Sequence, residues 1–168
     1  MANFGVAGSV PLALWDSQLN TKLMDAIKAS WAAYADSGGG TVPATSDILF
    51  IDTWFPNHKD IEMAFTLPSI TNNQIHNSTD GRIKQYFSNV DIHVKVRGRG
   101  GGSIPVLLAQ TLNGLQSVIQ VRHANLIPLA NCEITSILPG ATEQLDDSMS
   151  IWHREVRVRV SYFLASVV

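Results

Sequence analysis

The sequence predicts a two-layer α+β domain in which two helices pack on one face of a mainly antiparallel sheet of about four to five strands. The first observation is the segment Ile151 to Phe163, which alternates apolar and charged residues as a β-strand with two different faces does. The second is a pair of segments, Asp16 to Tyr34 and Ser103 to Arg122, whose apolar residues recur at helical spacing. A strand with one apolar face needs neighbouring strands and a covering layer, and these two helices can supply the cover.

The composition is that of a globular chain long enough to bury a core. Its 168 residues predict a single domain over residues 16–168, preceded by an extended arm over residues 1–15. Only 15% of the residues are charged, which fits a surface partly covered by other subunits, although a polar uncharged exterior explains it equally well. The net charge of −2 gives no global indication of nucleic-acid or membrane binding, and no run of about 18 apolar residues predicts a membrane span.

The N-terminal arm is too apolar for a free tail. It has no basic segment of the kind that begins a signal peptide, so we interpret it as an ordered arm. We expect the arm to pack on its own subunit or on a neighbouring one, through Phe4, Val6, Leu12 and Trp15.

The first helix is predicted to begin at a capping residue, Asp16 or Ser17, and to end near Tyr34. Its apolar face is expected to form part of the core. A glycine-rich connection over residues 36–47 follows, and it is too short to separate two domains.

Three strands are predicted between the helices. Ile48 to Trp54 and Ile61 to Leu67 are expected to pair antiparallel, and the polar segment Ser69 to Gly81 is expected to be a loop. The third strand starts near Arg82 and alternates most clearly over Val90 to Arg97.

The second helix is predicted over Ser103 to Arg122, with Pro105 in its first turn. Gly114 lies in the middle of this helix, where glycine costs about 1 kcal/mol relative to alanine, and so indicates close packing. The chain should then form a strand over Asn131 to Leu138, an acidic exposed loop over Pro139 to Ser150, and the final strand.

The glycine-rich turn between the third strand and the second helix, Gly98 to Ser103, lies where a phosphate-binding loop would lie. It lacks the third glycine of a dinucleotide-binding motif, the Lys-Ser/Thr pair of a P-loop, and a downstream acidic residue before Glu133. We therefore interpret this turn as a connection and predict no cofactor.

No pattern indicates a catalytic or metal site. The five histidines show no metal-binding spacing; His93 and His153 can approach each other across the sheet, but exposed strand histidines are usually solvated. Cys132 lies in a predicted strand without the context of a nucleophile, and no pair of carboxylates can be assigned from spacing. We predict that the chain is not an enzyme.

Alternating cations provide the main electrostatic signal. If the third and last strands are neighbours, the cations gather into one basic patch on the face that the helices leave uncovered, and the candidate interface or lumen-facing residues are Lys95, Arg97, Arg99, Arg157 and Arg159. Such a patch would be a subunit interface, for instance with an acidic loop of a neighbour, or a channel lining near DNA. In a monomer it would be an ordinary solvated sheet face.

The order of these elements, with the stretches Val90 to Arg99 and Ile151 to Phe163, resembles the tail-terminator (tail-completion) proteins of long-tailed bacteriophages and related neck proteins. This resemblance covers roughly Ser17 to Phe163 and rests more on element order and size than on the strand motifs. It implies a structural virion protein, assembled in the host cytoplasm. The expected partners are further copies of the chain in a six-fold ring, the tail tube protein and the head connector, with non-specific proximity to DNA in the lumen.

The long apolar arm and the wide Ser69 to Gly81 loop depart from the family pattern, so other neck, connector or tail-tube roles stay open. A stand-alone module that binds nucleic acid or a ligand through the Gly98 to Ser103 turn and its arginines is the alternative from a different class.

Overall fold

A computed structural model describes residues 19–35, 41–56, 58–66, 73–77, 83–99, 102–120, 131–144 and 149–165. These residues form two α-helices, one turn of 3-10 helix (Thr45–Asp47) and six strands. The helices are α1 (Leu19–Ala35) and α2 (Ser103–Gln120), and the strands are β1 (Ile48–Ile51), β2 (Ile61–Thr66), β3 (Asn73–Asn77), β4 (Ile83–Arg99), β5 (Asn131–Gln144) and β6 (Met149–Ala165).

The strands form one sheet in the order β1-β2-β4-β6-β5, and β3 pairs with the first part of β4. All pairs except β1 with β2 are antiparallel. β4 and β6 lie side by side along their whole length, from Ile83 opposite Ala165 to Arg99 opposite Met149. The predicted α+β class, with helices packed against a mostly antiparallel sheet, is confirmed.

Both helices bury one face against the sheet because their apolar residues recur every three or four positions. Leu23, Ile27 and Trp31 of α1 are fully buried, as are Leu115 and Val118 of α2. They join the inward-facing valines and isoleucines of β4 and β6 in one core. None of the described helices is long and apolar enough to cross a membrane.

Gly114 lets the two helices approach closely. A Cβ atom at this position would lie 2.5 Å from Cη2 of the buried Trp31, whose indole Nε1 donates a hydrogen bond to the Pro43 carbonyl at 2.9 Å. The prediction of close packing at Gly114 is confirmed.

The prediction of an antiparallel first pair was wrong, because β1 and β2 are parallel, with Ile48 opposite Ile61. The connection between them, described at residues 52–56 and 58–60, therefore returns along the sheet and does not make a hairpin. A proline at position 56 of the sequence indicates a bend but not which way the chain returns.

Two predicted loops contain strand. The Ser69 to Gly81 segment includes β3, and β5 continues through Pro139 to Gln144, where a loop was predicted. Register shifts in β5 between Ile134 and Ser136 and between Pro139 and Thr142 let this edge strand accommodate a proline and a glycine. The predicted helix cap and the arm residues Phe4, Val6, Leu12 and Trp15 lie outside the described residues.

Candidate functional site: the charged face of the sheet

The face of the sheet opposite the helices carries the charged side chains of β2, β4 and β6, and we call it the charged face. The basic patch was predicted on the condition that the third and the last strand are neighbours. They are neighbours, because β4 pairs directly with β6, with Asp91 opposite Arg157 and His93 opposite Glu155. β2 adds Glu62 opposite Lys95.

The cations of the charged face do not form the predicted basic patch, because carboxylates of the same chain pair with them. The nitrogen–oxygen distances are 2.6 Å for Lys95–Glu62, 3.2 Å for Arg97–Asp60, 2.7 Å for Arg157–Asp91, 3.6 Å for Arg157–Glu155 and 3.8 Å for Arg159–Glu133. The sequence could not show this, because the pairing carboxylates come from four different segments. Arg99, at the end of β4, is exposed.

The Lys95–Glu62 pair is the most buried of these contacts. Glu62 is 0% exposed and Lys95 is 3% exposed. Glu62 also accepts backbone N–H groups from His58 at 2.6 Å and Lys59 at 3.0 Å. Burial opposes ionisation of Glu62, but these hydrogen bonds and the Lys95 charge outweigh it and lower the pKa of the carboxyl below 4.5. Glu62 thus fixes the β1–β2 connection onto the sheet.

Arg157 and Asp91 form a two-pronged ion pair across β4 and β6. Nε and Nη2 of Arg157 donate to the two carboxylate oxygens of Asp91 at 2.7 and 2.9 Å. The hydrogen bond to Asp91, followed by its charge, raises the pKa of Arg157. This geometry holds both side chains in one orientation.

His93 and His153 form a hydrogen-bonded pair, although two strand histidines were expected to be solvated. Nδ1 of His93 lies 3.2 Å from Nε2 of His153, and the ring centroids are 5.3 Å apart at an interplanar angle of 28°. This centroid distance is close to the sum of the nitrogen–nitrogen distance and two ring radii, so the rings meet edge to edge and one N–H lies between them.

The Thr66 hydroxyl oxygen lies 3.1 Å from His93 Nε2 and 3.4 Å from the Asp91 carbonyl oxygen. When this hydroxyl donates to the carbonyl, it accepts from His93 Nε2–H, and His153 Nε2–H donates to His93 Nδ1; when it donates to His93 Nε2, the donor between the two rings is His93 Nδ1–H. Burial lowers the pKa of His93 against the opposing charges of Glu155 and Asp91. Burial, followed by His93, Arg154 and Lys95, lowers the pKa of His153.

Two aromatic residues of the β1–β2 connection cover the histidine pair. The Trp54 ring centroid lies 5.0 Å from that of His93, and the Phe55 centroid lies 5.7 Å from that of His153. The Lys95 ammonium lies 4.8 Å from the Phe55 centroid. Part of the face that was predicted to be uncovered is therefore covered by the chain itself.

A cleft of about 520 Å³ opens beside this aromatic cover. Its lining combines Trp54 and Phe55 with charged and polar side chains of β4, β5 and β6, among them Arg97, Glu143 and His153. Trp54 is 59% exposed, the largest exposed fraction of any large apolar side chain in the described part of the chain. A second cleft, of about 630 Å³, is lined by the segment before β1, by the end of the β1–β2 connection with the first residue of β2, and by α2; His58 and Gln110 are among its residues.

The remaining reactive groups are placed as structural residues. Cys132 packs against the core, and burial raises the pKa of its thiol to about 12, so it is not a thiolate at neutral pH. Over the described ranges, no group of three or more histidine, cysteine or carboxylate side chains could hold a metal ion. The Gly98 end of the glycine-rich turn packs at 3.2 Å, measured from a hypothetical Cβ, against Ile104.

No protein-family model matches this chain, and no curated protein matches it in sequence.

The sequence reasoning missed the roles of Trp54, Phe55 and Glu62. A signal was present in Glu62, a carboxylate inside an otherwise apolar strand of sequence IEMAFT. A charged residue at such a position requires a buried partner. Trp54 was predicted to be the last residue of the first strand, which instead ends at Ile51. The place of Trp54 and Phe55 over the histidines depends on the parallel return of the chain.

Proposed function

We propose that this chain is a structural virion protein: the subunit of a six-fold ring that caps the head-proximal end of a bacteriophage tail tube and joins it to the head connector. The observation that carries the proposal is the pairing of the two stretches behind the resemblance. Val90 to Arg99 lies in β4, Ile151 to Phe163 lies in β6, and the two strands are neighbours over 17 residues each. α2 and β5 lie between them in the chain, and this order supports the resemblance.

The sheet also has an edge suited to assembly. Among the described strands β5 is the last of the sheet, and its Ile137 and Leu138 side chains are 48% and 39% exposed. An apolar strand edge is a site at which another chain can add, and a head-to-tail contact of this kind generates a closed ring when its rotation closes.

The charged face supports contact with protein better than contact with DNA. Four of its cations, Lys95, Arg97, Arg157 and Arg159, are matched by five carboxylates, Glu62, Asp60, Asp91, Glu155 and Glu133. Nucleic-acid binding requires cations that exchange counterions for phosphates, and ion-paired cations do this poorly. The alternatives within the same class are another neck or connector component and a tail-tube subunit.

The test is a tail tube polymerisation assay with the purified chain added in increasing amounts. A terminator shortens or stops tube growth at a ratio of about one ring per tube end, whereas a tube subunit is incorporated along the length. Light scattering on the chain alone should show a species larger than the monomer at high concentration. A strict monomer that leaves tube growth unchanged would contradict the proposal.

A further inference from the structure

We infer that the outer edge of β5 receives the N-terminal arm, residues 1–15, of a second copy of this chain as an added β-strand. This inference rests on the proposed function, because both require copies of the chain to associate. It goes further by naming the donor segment, the acceptor strand and the direction of exchange.

The acceptor is a long strand with one unpaired side among the described residues. β5 has 14 residues and pairs there with β6 alone, whereas β1, at the opposite end of the sheet, has four residues. Ile137 lies opposite Val156, which faces the helices, and Leu138 lies opposite Glu155, on the charged face. Exposed apolar side chains therefore flank the edge on both faces of the sheet, where a further strand would cover them.

The arm has the sequence of such a strand. From Phe4 to Leu14 its larger apolar residues share one parity: Phe4, Val6, Val10, Leu12 and Leu14, while Trp15 follows on the other parity. The alternate positions Gly5, Ala7, Ser9 and Ala13 are small, and the first 15 residues contain no charged side chain. Phe4 to Leu14 would extend about 36 Å, within the roughly 46 Å of a 14-residue strand. Pro11 is tolerated because the added strand becomes the new edge, where one N–H is dispensable.

The reach of the chain favours the arm of a second copy over the arm of the same subunit. The start of α1 lies over β2, since Asn20 Nδ2 donates to the Phe65 carbonyl at 3.1 Å. A strand outside β5 would lie four strand spacings from β2, about 19 Å across the sheet, and the step from the helix layer adds to this. The five residues from Leu14 to Leu19 span at most about 17 Å. A strand that includes Leu14 must therefore come from another subunit.

Each subunit would then donate one arm and accept one. When each arm passes to the next subunit instead of being exchanged within one pair, the contact is head-to-tail, and it forms a closed ring when its rotation closes. Main-chain hydrogen bonds would supply affinity, and the alternating apolar residues would fix the register.

Cross-linking of full-length chains tests the donor and the acceptor. One chain carries Ser9→Cys and a second carries Thr135→Cys, an exposed position on β5, both with Cys132→Ala to remove the native thiol. A short bismaleimide should link the two chains in the mixture, and a control acceptor with Lys28→Cys on the exposed side of α1 should not be linked. A single chain with both β5 and arm cysteines that cross-links internally, independently of concentration, would overturn the inference, and so would the absence of any arm–β5 product.

Paired substitutions give a second readout. Val6→Asp with Val10→Asp should raise the concentration needed for half-assembly by at least about tenfold, because two apolar contacts are lost. Ser9→Asp, on the opposite face of the arm, should change it much less. Assembly that is unaffected by Val6→Asp with Val10→Asp overturns the inference but leaves the proposed ring function standing. Arm-dependent oligomers that do not affect tube growth support the inference and contradict the proposed function.

Discussion

At the scale of single residues, the charged face contains two ion pairs on the same strand in different environments. Lys95 and Glu62 are 4% and 0% exposed in their side chains, whereas Arg97 and Asp60 are 25% and 71% exposed. A buried charge that loses its partner keeps its desolvation cost, and an exposed one is stabilised by water. The two pairs should therefore differ in their contribution to stability.

We predict that Lys95→Met lowers the free energy of unfolding by about 3–5 kcal/mol, because Glu62 stays buried without its counter-charge. Arg97→Met, two residues along β4, should cost less than about 1 kcal/mol. Urea unfolding of both variants measures the difference. Equal effects would show that Glu62 is not held by Lys95.

The histidine pair predicts loss of stability on mild acidification. Both histidines have a pKa in the folded chain below the ordinary 6.5, so the unfolded chain binds more protons between those values. Stability is therefore greatest above pH 6.5 and falls as the pH drops through the lowered pKa values. Unfolding followed from pH 8 to pH 5 should show this slope, and Trp54 fluorescence should report loosening of the aromatic cover.

The variant His93→Gln with His153→Gln should flatten the stability profile between pH 8 and pH 5. Glu62 has a lowered pKa, so its contribution is present above pH 4.5 and is lost as the pH falls through the folded value. The double variant should therefore keep the loss of stability below pH 4.5. If the free energy of unfolding of the double variant depends on pH above pH 5 as steeply as that of the unchanged protein, groups other than the two histidines cause this dependence.

At the scale of the elements, the sequence predicted what depends on local periodicity. The two helices, β4 and β6 were correctly located because their apolar residues repeat at 3.6 or 2 positions. The parallel return of the chain between β1 and β2 was missed, since Trp54, Phe55 and Pro56 do not encode its direction. The ion pairs of Lys95 and Arg157 were missed because their partners are distant in sequence.

Gly114→Ala should destabilise the protein even though alanine favours a helix by about 1 kcal/mol. The added Cβ would lie 2.5 Å from the rigid, fully buried Trp31 ring, and overpacking of this kind costs about 1–3 kcal/mol. Asn113→Ala, at the adjacent exposed position, should be neutral or stabilising. Thermal unfolding of the two variants and of the unchanged protein measures both effects. A higher Tm for Gly114→Ala than for the unchanged protein would contradict the prediction, because it would mean that the two helices move apart without cost.

At the scale of the whole molecule, the fold is a two-layer domain whose sheet is covered on its faces to different extents and exposes apolar residues at its β5 edge. The helices cover one face of the sheet, and the β1–β2 connection with its ion pairs covers part of the other. The β5 edge keeps exposed apolar residues, Ile137 and Leu138. The alternation of the final strand predicted the sheet and its cover, but the edge emerged only from the strand order, which local periodicity does not determine.

Electron microscopy of tail tubes mixed with the purified chain tests the ring most directly. The account predicts a ring of six copies at one end of each tube, and tubes that do not elongate when more tube protein is added. Tubes that elongate freely, with bare ends and a monomeric chain in solution, would contradict it.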